Sequence, residues 1–252
     1  DADRLAAFGG DSEAGAGDTE LALGRLVAIG DAGEDGCFAR PLRPGEEFVA
    51  AKKLYGGSIN QFNHAFKNFG WNVVWAEPDD ISTFERAITP KSKAIFIESI
   101  ANPAGSITDI EAIAAVARKA GVPLIVDNTL ATPYLIRPID HGADIVVHSL
   151  TKFLGGHGNS LGGIIVDAGT FDWSKDSKYP MLSEPRPEYH GIKIQETFGN
   201  FAFAIACRVL GLRDLGRGRG AHADRCRALL AVPATPADAS VPGRRRAGWG
   251  GR

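Results

Sequence analysis

Residues 123–129 read PLIVDNT and residues 144–160 read DIVVHSLTKFLGGHGNS, and the way these two stretches run and stop decides the fold. Each holds a short unbroken apolar run rich in Ile and Val. Each then ends on polar residues, Asp127, Asn128 and Thr129 in one, His148, Ser149, Thr151 and Lys152 in the other. A strand with one wetted face alternates apolar and polar side chains, whereas an unbroken run suits a strand covered on both faces. Working outward, runs of the same kind recur as EFVAA at 47–51, NVVWAE at 72–77, KAIFIES at 93–99 and GGIIVD at 162–167. Helical periods lie between them at 60–69, 81–88 and 108–120. Repeated strand–helix units predict an α/β fold on a mostly parallel, doubly wound sheet.

The third helical period has the clearest ends. Thr108 is followed three residues on by Glu111, the spacing of a capping box, and Ile110, Ile113 and Val116 form one apolar stripe. Gly121 is a suitable stop, with Pro123 just beyond.

In doubly wound sheets ligands collect at the carboxyl ends of the strands, so the polar residues that end these runs carry the chemistry. A carboxylate, Asp127, and an amine, Lys152, delivered to one rim suit a cofactor with a cationic ring nitrogen and an aldehyde. Pyridoxal 5′-phosphate has both: the carboxylate keeps the ring nitrogen protonated, and the lysine holds the aldehyde as a Schiff base. Hydroxyls just before that lysine, Ser149 and Thr151, can bind a phosphate without adding charge. Taken singly, these residues have plainer uses, since an Asp after a strand commonly caps a turn and a lone Lys is commonly solvated. Competing motifs fail. GHGNSL has Leu161 where a dinucleotide fingerprint needs its third glycine, and GRGRGA at 216–221 follows no strand. Neither GxxxxGK[ST] nor GxSxG occurs, and His148 and His157 have no partners at metal spacing.

Composition bounds the class. With 28 Lys+Arg against 30 Asp+Glu, the net charge of −2 argues against a nucleic-acid-binding surface. The three cysteines, Cys37, Cys207 and Cys226, are too scattered for a disulfide framework and fit a reducing compartment. No apolar stretch reaches the roughly 20 residues of a membrane-spanning helix, and the first residues lack a signal pattern. A soluble cytoplasmic protein that binds neither membrane nor nucleic acid is expected.

The near-neutral total conceals two unusual ends. Residues 1–46 carry ten acidic residues and four arginines, while residues 217–252 carry eight arginines and two aspartates. From Arg217 onward there is no Phe, Tyr, Met, Ile, Asn or Lys, and residues 1–46 hold only Phe8, Ile29 and Phe38 from that set. Disordered tails are one reading, and an Arg244–Arg246 patch for nucleic acid or membrane is a weaker one. The preferred expectation is translation of a GC-rich gene out of frame at both ends, because residue types with AT-rich codons vanish together. The expected organisation is therefore an atypical segment 1–46, a core at 47–216 and an Arg/Gly/Ala/Pro-rich tail at 217–252.

KLYGGSINQF, ESIANPAG, PLIVDNTLATPY and VHSLTKFLGGHG, in this order, resemble the Cys/Met-metabolism family of pyridoxal-phosphate enzymes, which includes cystathionine synthases and lyases, methionine γ-lyase and sulfhydrylases. WSKDSKYPMLSEPRPEYHG and ETFGNFAFAIACRVLGLRDLG are most similar to the O-acetylhomoserine sulfhydrylases, and the resemblance covers about residues 44–216. It implies the large domain of fold-type-I pyridoxal-phosphate enzymes, without the smaller C-terminal domain. It also implies that Lys152 is the Schiff-base lysine and Asp127 the partner of the ring nitrogen. By the same resemblance, Tyr55 stacks on the ring and assists proton transfer or leaving-group departure, Ser149 and Thr151 hold the phosphate, and Asn102 and Thr129 lie around the ring. Before the resemblance, Tyr55 reads as a hinge or core tyrosine ahead of a Gly-Gly turn.

The implied reaction is γ-replacement on O-acetyl-L-homoserine by sulfide or a thiol, giving homocysteine or methionine and acetate, in a homo-oligomer. Three of the family's features are not legible: a Tyr-x-Arg phosphate contact and a glycine-containing phosphate loop ahead of Tyr55, and a later arginine that grips the substrate carboxylate. Two functions from different classes therefore stand: the enzyme, or a related γ-lyase or γ-synthase, and a non-catalytic, cofactor-binding fragment. Acetyl versus succinyl substrate, and replacement versus elimination, stay open.

Overall fold

The computed structural model describes residues 26–29, 42–159 and 161–209. Most of the N-terminal segment, the stretch from residue 210 onward, and Cys37 and Cys226 lie outside the described residues.

The described strands are β1 (Leu26–Ile29), β2 (Glu47–Ala51), β3 (Asn72–Ala76), β4 (Ser92–Glu98), β5 (Leu124–Asp127), β6 (Ile145–Ser149) and β7 (Gly163–Asp167). The unbroken apolar runs of β2, β4, β5, β6 and β7 are largely buried on both faces, whereas β3 is only partly covered. They form one sheet in the order β1-β7-β6-β5-β4-β2-β3. The five strands from β2 to β6 are mutually parallel. β7 runs antiparallel to both β6 and β1, because the 150–162 connection carries no helix long enough to return the chain for a parallel strand. β1 is not among the runs that the sequence singles out, since LVAI is short and lies in a segment poor in bulky apolar residues.

The strand order reverses around β2, which pairs with β3 on one side and β4 on the other. The β2 and β4 connections therefore diverge and leave a crevice at their carboxyl ends, the usual ligand position in a doubly wound sheet.

Helix formation begins earlier than expected in the first unit. The run starts with α1 (Gly56–Asn60) and continues through Phe69, ending at Gly70 in the left-handed region, φ 74°. α2 (Ile81–Ala87) is capped by Asp80, whose carboxylate accepts from the Ser82 N–H at 3.0 Å. α3 (Ile110–Ala120) buries the expected Ile110, Ile113 and Val116 and ends at Gly121, φ 64°. Its cap differs from the sequence expectation: Asp109 accepts from the Ala112 N–H at 3.0 Å. Thr108 is unavailable because its buried hydroxyl donates to the Glu98 carbonyl at 2.6 Å.

Aromatic packing holds the sheet rigid beneath its rim. Phe62 and Phe66, from the 56–69 run, meet Phe48 of β2, and Phe62 meets Phe96 of β4 edge-on at 5.3 Å; all four are fully buried. Each such ring contributes about 1.5–3 kcal/mol by leaving water. Further along the chain, Trp173 stacks on Phe203 at 4.8 Å and meets Tyr179 edge-on, while the Tyr179 hydroxyl donates to the Lys93 carbonyl at 3.0 Å. Among the described residues no helix is long and apolar enough to cross a membrane. Nor does any group of three or more His, Cys, Asp or Glu among them stand where it could hold a metal ion.

Candidate active site

All seven residues singled out from the sequence lie at, or just beyond, the carboxyl ends of β2, β4, β5 and β6. Parallel register aligns those ends. Glu98 of β4 is the partner of Asp127 of β5, and Asp127 is the partner of Val147 of β6, two residues before Ser149. Neighbouring strands lie about 4.8 Å apart, so the four connections open onto a common rim.

On the β5–β6 side, hydrogen bonds join three of the seven. The Thr129 N–H donates to Oδ1 of Asp127 at 2.8 Å, and the Ser149 N–H donates to the Thr129 hydroxyl at 2.8 Å. Burial pushes the Asp127 carboxyl above its ordinary range, opposed by its hydrogen bonds from Thr129. Removing a carboxylate from water penalises its charge, and a cation placed opposite restores it. Beneath this loop Asn128 is fully buried, accepting from the Ser99 hydroxyl at 2.7 Å and donating to the Ile136 carbonyl at 2.9 Å. His148 donates from Nδ1 to the Asn128 carbonyl at 3.1 Å, and burial lowers its pKa to about 4, so it is neutral at pH 7.

Lys152 follows β6 within the wide turn Leu150–Leu154, where its own backbone is non-helical, φ −93° and ψ −125°. This kink breaks the turn at the lysine, and the side chain is exposed. The turn is closed by Leu150 N–H to the Gly162 carbonyl and Gly156 N–H to the Lys152 carbonyl, both 2.8 Å. Gly155 is required by close approach, since a Cβ there would collide with the Leu150 carbonyl oxygen. The Thr151 hydroxyl accepts from the Gly162 N–H at 3.1 Å and lies 3.4 Å from that residue's carbonyl.

On the β2–β4 side, Tyr55 and Asn102 are joined by a residue that the sequence reading does not single out. Glu98 Oε1 accepts from the Tyr55 N–H at 2.6 Å and Oε2 from the Asn102 N–H at 2.9 Å. Glu98 is 4% exposed, and its carboxyl is pushed up to about 7 by burial, opposed by these two bonds and reinforced by the charge of Asp127. The available signal is its place as the last residue of an apolar strand, four residues before the turn that begins at Asn102. The Tyr55 side chain is half exposed and lies over Gly57, where a Cβ would collide with Cε1 of the ring.

A half-buried carboxylate, an accessible amine, hydroxyls beside it and an exposed aromatic face on diverging connections are the donor set for an aromatic, cationic, phosphorylated aldehyde. The residues present fit pyridoxal phosphate.

Comparison with known proteins agrees with that class. Residues 19–217 match the profile of the Cys/Met metabolism PLP-dependent enzyme family, and the chain belongs to that family. The match starts upstream of residue 46 and ends beside the second compositional break, at residue 217. The chain is 45% identical over 198 residues to O-acetyl-L-homoserine sulfhydrylase of Leptospira meyeri, covering 75% of this chain and 45% of that protein. It is 49% identical over 176 residues to homocysteine synthase of Schizosaccharomyces pombe, covering 69% of this chain and 41% of the relative. Among solved structures, a Campylobacter jejuni protein carrying N′-pyridoxyl-lysine-5′-monophosphate superposes with a TM-score of 0.72 at 34% identity, covering 79% of this chain and 50% of the other. The chain thus spans less than half the length of these two curated relatives.

Proposed function

We propose that this rim binds pyridoxal 5′-phosphate at Lys152 and serves the replacement of the γ-substituent of O-acetyl-L-homoserine by sulfide or a thiol. The observation that carries the reading is the pairing of a kinked, exposed Lys152 after β6 with the half-buried Asp127 at the end of the adjacent β5. When bound, the cofactor supplies an electrophilic carbon for an amino group and a cationic ring that accepts electrons from the α-carbon. Asp127 would stabilise the protonated ring nitrogen, and Tyr55 would cover a ring face. Ser149 and Thr151 would hold the phosphate, with Asn102 and Thr129 at the ring's edge. Once the substrate amine has taken its place, the Lys152 amine would take a proton from the α-carbon and then one from the β-carbon. The electron pair left at the β-carbon forms a double bond to the γ-carbon as acetate departs with its bonding electrons. Hydrosulfide then adds to the γ-carbon, and protons return to the β- and α-carbons, giving homocysteine. The core at 47–216 carries these residues, and the setting is a cytoplasmic homo-oligomer. The exposed Ile107, Tyr134 and Phe153 on the rim connections support that last point as surface for a second copy.

A second reading, cofactor binding without turnover, is favoured by the rim residues themselves, each of which is given a role toward the cofactor and none toward the substrate carboxylate. The test has two stages. Borohydride reduction of the chain with pyridoxal phosphate should fix the label on Lys152, and Lys152→Ala should lose it; a label retained in the variant rejects the assignment. Homocysteine formed from O-acetyl-L-homoserine and sulfide then supports the enzyme, whereas labelling without product supports the second reading.

A further inference from the structure

The β2–β4 crevice is held together by one side chain. Glu98 accepts from the backbone of Tyr55, 43 residues earlier, and from Asn102, four residues later, through different carboxylate oxygens. Its own carbonyl is held by the Thr108 hydroxyl, and the next residue's N–H donates to the Asp127 carbonyl at 3.0 Å. Two connections that diverge at the strand-order reversal are thus fastened to the strand end that neighbours Asp127.

We propose that Glu98 is a positioning residue, which fixes Tyr55 and Asn102 on either side of the cofactor and couples that arrangement to the cation bound beside Asp127. The inference rests on the cofactor reading above. Two carboxylates in register at a poorly solvated rim repel each other, so a cation at Asp127 favours the ionised form of Glu98 as well. The ionised form accepts both N–H bonds at full strength, whereas protonation uses one oxygen as a hydroxyl. Filling the site therefore tightens the Tyr55 and Asn102 connections and releases a proton. Of the other ionisable groups on these strand ends, His148 on β6 is neutral, Lys52 and Lys53 after β2 are engaged by Glu77 and Asp79, and Lys152 after β6 is the exposed amine that the cofactor would take.

The experiment compares the wild-type chain with Glu98→Gln, after far-UV circular dichroism has established folding. Two quantities are read: the pyridoxal-phosphate dissociation constant from pH 5.5 to 8.5, and amide exchange at Tyr55 and Asn102 without cofactor. Glu98→Gln should weaken binding roughly tenfold at pH 8, flatten the part of the pH profile centred near 7, and accelerate exchange at both amides. An unchanged pH profile, or unchanged exchange, overturns the proposal. If Glu98→Gln does not fold, wild-type exchange decides: protection of both amides must rise between pH 5.5 and 8.5 relative to the β4 amides, and a constant ratio overturns it. If the wild type binds no cofactor while both amides respond to Glu98, the cofactor reading fails, and with it the coupling to a bound cation. Only the fastening of the two connections then survives.

Discussion

Glu98 and Asp127 stand as register partners at the carboxyl ends of β4 and β5, and burial raises both carboxyl groups above their ordinary ranges. Two acids sharing one poorly solvated corner cost stability unless a cation joins them. Such an arrangement is expected where binding, rather than folding, sets the choice of residue.

Asp127→Asn tests that trade directly. Asparagine keeps an acceptor for the Thr129 N–H and removes a charge that burial penalises. The cofactor-free variant should melt at the same temperature as wild type or higher, while pyridoxal-phosphate retention falls at least tenfold. A variant that loses thermal stability and keeps the cofactor would contradict the role given to Asp127.

Gly155→Ala should damage the lysine turn without touching the lysine. The new methyl group meets the Leu150 backbone oxygen, which cannot rotate away, so a loss of about 1–3 kcal/mol is expected in urea unfolding. Borohydride labelling of Lys152 should slow in parallel.

Gly57→Ala should separate stability from binding. The clash is with the ring of Tyr55, a half-exposed side chain that can swing aside, and alanine favours helix by up to about 1 kcal/mol. Unchanged or slightly raised stability is expected, together with a severalfold weaker hold on the cofactor, read by fluorescence titration.

The opposite end of the sheet predicts a pH effect. Asp144 accepts from the Leu124 N–H at 2.8 Å, and burial pushes its carboxyl up to about 6. A raised folded-state pKa gives a contribution fully present below about 3.8 and lost as pH rises through about 6. His148 acts in the reverse sense: its pKa of about 4 lies below the ordinary 6.5, so its contribution is present above 6.5 and lost as pH falls through 4. Asp144→Asn, compared with wild type by urea unfolding at pH 4 and pH 7, should gain about 1 kcal/mol more at the higher pH, after screening at a partly exposed site. An equal difference at both pH values would remove Asp144 from the account.

Much of the rim was legible because strand ends in a parallel sheet are marked in sequence: the apolar run stops and the polar residues begin. Asp127, Ser149 and Lys152 could be placed in this way. Glu98 was less visible because a carboxylate that bonds backbone N–H groups leaves no paired cation in the sequence. The capping role at α3 moved from Thr108 to Asp109 because Thr108 is drawn to the Glu98 carbonyl, a contact made through the fold.

By itself the sequence determined the strand–helix alternation, the doubly wound class and the motifs that resemble the family, since apolar periodicity and local residue order are properties of the chain. The tertiary structure decided the strand order that reverses around β2, the antiparallel return of β7 and the alignment of Glu98 with Asp127. Those depend on which strand lies beside which, and that is set by packing between segments far apart in sequence rather than by any one of them.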